Sequence, residues 1–399
     1  MAGTPLSERV NYLEESQTIG MAKLSRELAE NGFDVINLSL GEPDFDTPIH
    51  VREAAKKAID DGYTHYPPIS GFIELRKVIA NKFKRENNLD FSPQQIVVST
   101  GAKQAIANVV LSLVNKDEEV IIPKPYWVSY IEIVKLAEGK PVFIPSTIET
   151  NFKISPEQIE KAITPRTRLF MFSSPCNPTG TVYTKDELAA FAKVFERHPH
   201  VYVLSDEIYE HINYQGKHET IAQFLSIRDR VIIINGVSKS FAMTGWRIGY
   251  SASTLAIAQA CDKMQGQFTS GASSISQKAT EAALSNGLES TRGMCEAFHR
   301  RRDLMIKLLK EIPNVTVNHP DGAFYVFPDV SYYLGKSDDG KKIDTLHDLC
   351  MYLLYKGHVS TVPGTAFGDD KCIRISYSAS EENIEKAVNK IKAALLALK

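Results

Sequence analysis

Between residues 95 and 255 the chain alternates short apolar runs with stretches of helical periodicity, without an internal sequence repeat. The runs fall at 96–99, 120–122, 141–144, 169–172, 201–204, 231–234 and 248–251, with helical patterns between most of them, as at 102–113, 126–136 and 185–195. Strands apolar on both faces need cover on both faces, and helical crossovers join parallel neighbours. The pattern therefore predicts an α/β chain built on a mostly parallel seven-stranded sheet between helices. It also predicts where ligands go, because in open α/β sheets they bind beyond the carboxyl ends of the strands.

Those ends carry more chemistry than turns require. After 96–99 come Thr100-Gly101-Ala102-Lys103, small residues opening a helix whose free N–H groups suit a phosphate. After 169–172 comes Asn177-Pro178-Thr179-Gly180, and after 201–204 come Ser205, Asp206, Glu207 and Tyr209. The run Val231-Ile232-Ile233-Ile234 leads to Ser238-Lys239-Ser240, with Phe241, Met243, Trp246 and Arg247 close behind. A lysine desolvated by such bulk and placed near a second cation has a lowered pKa, which frees the amine to attack a carbonyl. Arg247 is either that cation or a phosphate holder. Taken singly, Asn177–Gly180 reads as a turn, Gly101-Ala102 as a helix start and Asp206 as a cap. Arg374 stands inside the apolar strand pattern Cys372-Ile373-Arg374-Ile375-Ser376 and needs a buried partner, either a structural carboxylate or a bidentate ligand.

Outside this alternation, helices are expected at 21–31, 49–61 and 71–86, and a short strand at 35–40. Beyond about 255 long helices dominate, with a basic one at 298–309. A smaller mixed region follows, with strand candidates at 315–318, 324–327 and 372–377 and a closing helix from Ser380. The polar, glycine-bearing stretch 335–342 reads as linker.

Bulk properties exclude several classes. A formal net charge of −2 offers no footprint for nucleic acid. Cys176, Cys261, Cys295, Cys350 and Cys372 are odd in number and lack C-x-x-C spacing, which predicts reduced thiols and neither a disulfide frame nor a metal site. No apolar run approaches membrane-spanning length, so a cytoplasmic protein without membrane contact is expected.

The pattern S-K-S-x(4)-G-x-R-x-G over Ser238–Gly249 resembles the cofactor-lysine motif of class I pyridoxal-phosphate aminotransferases. G-E-P-D-F-D-T-P from Gly41, P-Y-W-V-S-Y from Pro125, N-P-T-G from Asn177, S-D-E-I-Y-E from Ser205 and M-T-G-W-R-I-G-Y from Met243 occur in order. With them the chain resembles the bacterial and plastid-type branch of aspartate aminotransferases over nearly its whole length. The resemblance implies a fold-type-I pyridoxal-phosphate transferase, with a large domain over 49–290 and a smaller α/β domain joining 1–48 to 291–399. It implies that Lys239 carries the cofactor and then shuttles a proton, and that Asp206 partners the pyridine nitrogen. Asn177 and Tyr209 would bond the ring oxygen and Trp127 would stack on the ring. Gly101, Ala102, Lys103, Ser238 and Arg247 would surround the phosphate, with Tyr66 reaching it from the second subunit of a homodimer. Gly41, Trp127, Asn177 and Arg374 would hold the substrate.

The implied reaction is ping-pong amino transfer between an acidic amino acid and a 2-oxo acid. Prephenate or broad-specificity transamination, a β-lyase and a non-catalytic cofactor-binding regulator are the rivals. The regulator would need a basic DNA-binding module, which this sequence does not show. Relatives in this branch carry a lysine in the N-terminal segment for the distal carboxylate, and this chain is expected to place Asn11 there. An uncharged receptor predicts a partial dicarboxylate preference.

Overall fold

The computed structural model describes residues 6–399. Its centre is a seven-stranded sheet in the order Ile96–Ser99, Gly249–Ala252, Val231–Gly236, Tyr202–Asp206, Thr167–Ser173, Glu119–Pro123, Lys140–Ile144. All strands run parallel except Gly249–Ala252, which is antiparallel to both neighbours. Every residue of Val231–Gly236 is buried, as a strand covered on both faces requires. One layer of apolar side chains packs Phe170, Phe191 and Phe195 with Ile233, while the other packs Val109 and Ile133 with Ile234.

A separate apolar core draws on both ends of the chain. Met21, Ile36 and Leu38 pack with Phe298, Leu349, Ile373 and Ile391, and Ile208, Tyr209 and Ile212 reach into it from the sheet. Its backbone frame is a three-stranded antiparallel sheet through Ile373–Ser376, plus a parallel pair in which Ile36–Asn37 joins Val359–Ser360. The closing helix Glu381–Ala397 starts where the Ser380 side chain accepts the Asn383 N–H.

Several expected elements differ. The helix expected from 126 begins at Ser129, and the Tyr126 N–H bonds to the Phe367 carbonyl. The strand expected at 35–40 pairs only over Ile36–Asn37, beyond which the Ser39 carbonyl turns to Arg374. At 315–318 there is a single bridge, Thr316 to Asp329. There the Asn318 side chain takes the ladder's place, donating to the Thr179 carbonyl and accepting from the Phe327 N–H. The stretch expected as linker is a small hairpin, Ser337–Asp338 against Lys341–Lys342, turned by Asp339 and Gly340 at φ 48° and 77°. Two successive positive φ values are what a type I′ turn demands, and Asp-Gly supplies them. The basic helix at 298–309 is the second half of Glu289–Leu309.

Candidate active site

The strand ends converge on one cavity of about 270 Å³, lined among others by Gly41, Ala102, Lys103, Trp127, Asn177, Asp206, Tyr209, Ser238, Lys239, Arg247 and Arg374. Lys239 lies three residues past the Val231–Gly236 strand, where its ammonium donates to the Gly41 carbonyl and sits 5.9 Å from the centre of the Tyr209 ring. Burial lowers its pKa to about 8; Glu42 opposes that shift, and Arg374 and Arg247 add to it. Asp206 closes its strand and is buried. Its Oδ2 accepts the Tyr130 hydroxyl at 2.7 Å and its Oδ1 the Ile208 N–H at 3.3 Å. Burial pushes this carboxyl up to about 6 against the pull of the tyrosine bond. An anion held this reluctantly is stabilised by any cation brought beside it.

The helix Gly101–Leu113 opens onto the same space. Gly101 takes φ 80°, and a Cβ there would lie 2.4 Å from Arg247 Nη2. Gly249 serves the same approach from the sheet, since its Cβ would fall 2.2 Å from the Ala102 nitrogen. Glycine at both places lets strand, helix start and guanidinium share one corner. Arg247 itself adopts φ 56° and donates to the Thr244 carbonyl at 2.8 Å. Trp127 stands edge-on to Tyr130, and the Lys103 ammonium lies 5.2 Å from its ring centre.

Arg374 is 1% exposed. Nη1 donates to Asn177 Oδ1 at 3.0 Å and Nη2 to the Ser39 carbonyl at 2.6 Å, while Nε has no partner. Its guanidinium lies 4.5 Å from the Tyr325 ring centre and 5.0 Å from that of Phe367. Among the described residues no carboxylate pairs with it, so its charge is balanced by carbonyls and ring faces alone. That arrangement leaves room for a carboxylate ligand.

Two expected site residues lie apart from this cavity within the chain. Tyr66 is 94% exposed. Asn11 is exposed on the short helix Glu8–Tyr12 and does not line the space; the N-terminal residues that do are Ser16, Thr18 and Ile19. The chain enters the rim of the cavity only after that helix has ended. Sequence reasoning also passed over Tyr130 and Tyr325, the latter with its hydroxyl 2.8 Å from that of Tyr209. Tyr130 closes the P-Y-W-V-S-Y motif, a signal that was available. Tyr325 sits in an apolar run and carries none.

Residues 34–391 match the model of the family aminotransferase class I and II. The chain is 47% identical to a bifunctional aspartate aminotransferase and glutamate/aspartate-prephenate aminotransferase of Petunia hybrida, over 99% of this chain and 83% of that protein. It is 46% identical to an aspartate/prephenate aminotransferase of Cereibacter sphaeroides, over 97% and 98% of the two. The crystal structure of the aspartate aminotransferase from Rhizobium meliloti superposes with a TM-score of 0.95 at 42% identity, covering 100% of both chains. That of the Thermus thermophilus aspartate aminotransferase with maleate does so at 0.92 and 39%, covering 98% of this chain and 100% of that one. With sheet order, strand-end chemistry and sequence in agreement, the chain belongs to the class I and II aminotransferases.

Proposed function

We propose that this enzyme uses pyridoxal phosphate to move an amino group between an acidic amino acid and a 2-oxo acid by a ping-pong cycle, as a homodimer. One observation carries the reading: a desolvated lysine, a proton-hungry buried carboxylate and a buried arginine with a free Nε face one cavity. These residues fit the cofactor. The Gly101 corner with Ser238 and Arg247 suits its phosphate, and Asp206 suits the protonated ring nitrogen. Trp127 offers a face to the ring, and Asn177 and Tyr209 offer bonds to the ring oxygen. Tyr66 of the partner subunit would complete the phosphate cradle, a reading supported by its exposure.

When bound, pyridoxal phosphate supplies an electron sink for the pair released as the substrate Cα loses its proton. The protein supplies the rest. Lys239 is close enough to neutral at physiological pH to act first as nucleophile and then as the base that takes and returns the Cα proton at Nζ. Arg374, braced by Asn177 and the Ser39 carbonyl, holds the α-carboxylate, and Gly41 lines the same cavity. The division into a large body over 49–290 and a small one over 1–48 and 291–399 belongs to this reading, supported by the separate apolar cores.

For the distal carboxylate, the geometry favours Lys103 over Asn11. Of the cations lining the cavity, Lys239, Arg247 and Arg374 have their tasks, which leaves Lys103 beside Trp127. A charged hydrogen bond contributes about 1.5–3 kcal/mol, so Lys103→Gln should lower kcat/KM for aspartate and glutamate by about 10- to 100-fold. Phenylalanine turnover should hold, and Asn11→Lys should change none of these values. The overall reading is tested by following cofactor absorbance in the half-reaction with aspartate, glutamate, prephenate's amino product and neutral amino acids. Rapid bleaching by the dicarboxylates supports it. Pyruvate and ammonia released without an oxo acid would replace it with a lyase.

A further inference from the structure

The segment carrying Asp206 and Tyr209 runs on into Glu210 and His211, which the chemistry above leaves unused. Against it packs the end of the helix Ile73–Lys82, which continues as a π-helical turn over Phe83–Asn87. Such turns are rare and gather at functional sites. The turn presents fully buried Lys82, paired with Glu210, and brings Glu86 to His211. His211 Nε2 is 2.8 Å from Glu86 Oε2 and 3.1 Å from Glu210 Oε1, while Nδ1 is 3.0 Å from Ser240 Oγ. With carboxylates on one side, the ring donates from Nε2 and meets the Ser240 hydroxyl at Nδ1. The ring also stands edge-on to Phe241, centroids 6.3 Å apart.

Ser240 and Phe241 directly follow Lys239. Ser240 is fully buried, and its carbonyl accepts the Thr291 hydroxyl at 2.7 Å. The loop has need of such anchoring, because Ala242 and Arg247 both take left-handed φ values, 49° and 56°. Side chains avoid that region, and residues stay in it only where their surroundings over-determine them. One imidazole therefore ties the loop of Lys239 to the segment of Asp206 and Tyr209.

We propose that His211 is a positioning residue: through Ser240 it sets where Lys239 Nζ lies relative to Asp206 and Tyr209, and so the rate at which Lys239 moves the Cα proton. This rests on the function proposed above. The rival role is charge balance alone, with His211 serving only Glu86 and Glu210.

Two substitutions separate these roles. His211→Asn places an amide where Nδ1 lies and keeps the Ser240 contact, whereas His211→Gln places it nearer Nε2 and keeps the Glu86 contact. Positioning predicts that the asparagine enzyme keeps kcat within about threefold. The glutamine enzyme and Ser240→Ala should each lose about 30-fold in kcat, since displacements of about 1 Å cost up to about 100-fold. KM for the amino acid should stay within about twofold, and the His211→Gln/Ser240→Ala double variant should be no worse than either single one. Ser240→Ala removes one oxygen atom and keeps the test open should a histidine variant fail to fold.

A second readout needs no cofactor: the pH midpoint of Lys239 carbamoylation by cyanate, followed by peptide mass spectrometry. It should lie near 8 in the wild-type protein and rise by about one unit in the glutamine variant. Equal losses in both histidine variants, a loss in asparagine alone, or an unmoved cyanate midpoint in the glutamine variant would overturn the proposal. If the wild-type protein fails to bind pyridoxal phosphate, the function falls instead, and the cyanate midpoints still decide whether His211 holds Lys239.

Discussion

Burial moves Lys239 and Asp206 in opposite directions, and each shift has a sign in stability. Lys239 titrates at about 8 in the folded protein against 10.5 for a free side chain. Between those values the unfolded chain holds a proton that the folded one has released, so the lysine's contribution to stability rises with pH. Asp206, at about 6 against 3.8, works the other way, and its contribution falls as pH rises through that window. In cofactor-free protein, Lys239→Met should therefore raise stability at pH 7 by up to about 3 kcal/mol. It should also abolish the rise between pH 8 and 10.5, both measured by urea unfolding. At Asp206 the Tyr130 hydroxyl opposes burial. Tyr130→Phe should accordingly move the acid limb of the kcat profile to higher pH and lower kcat about tenfold at neutral pH, the loss of one charged hydrogen bond. An unmoved limb would show that Tyr130 only fills space.

Among the elements, the corner between the helix Gly101–Leu113 and the strand Gly249–Ala252 is the most tightly drawn. Gly101→Ala adds a Cβ against Arg247 and strains a positive φ, so it should destabilise by about 1–3 kcal/mol. It should also weaken pyridoxal phosphate binding more than amino-acid binding, which equilibrium dialysis against saturation kinetics would separate. This corner was legible beforehand, because strand ends and helix starts announce themselves by apolar runs and small residues. So was Lys239, whose bulky followers mark a buried loop. Arg374 was half legible: an arginine in an apolar strand demands a partner, but only the fold shows that carbonyls and rings supply it. Tyr325 and His211 were invisible, since their partners lie on other segments and neither type is unusual where it stands. The contact expected of Asn11 was no more legible, as sequence position cannot tell which turn of an N-terminal segment meets the rim.

For the whole molecule, the proposed sharing of sites between two subunits predicts complementation. Mixed dimers of Lys239→Ala and Tyr66→Phe contain one site with both native residues, so subunit exchange should restore up to about a quarter of wild-type activity, given random pairing. Verified heterodimers without activity would place Tyr66 outside the site. The core that joins Met21, Ile36 and Leu38 to residues beyond 290 also has a meaning for synthesis. Domains fold as they emerge, and contacts of long sequence separation close last. The lysine loop and its sheet can assemble while Met21, Ile36 and Leu38 still wait for partners on the ribosome. Arg374 emerges well after Lys239, so the substrate binding proposed for it is acquired only after the strand ends have formed. A chain released after residue 360 should keep the strand ends around Lys239 but turn over no amino acid. Its unburied N-terminal apolar side chains should make it a target for chaperones, which co-purification with the tagged truncated chain would detect.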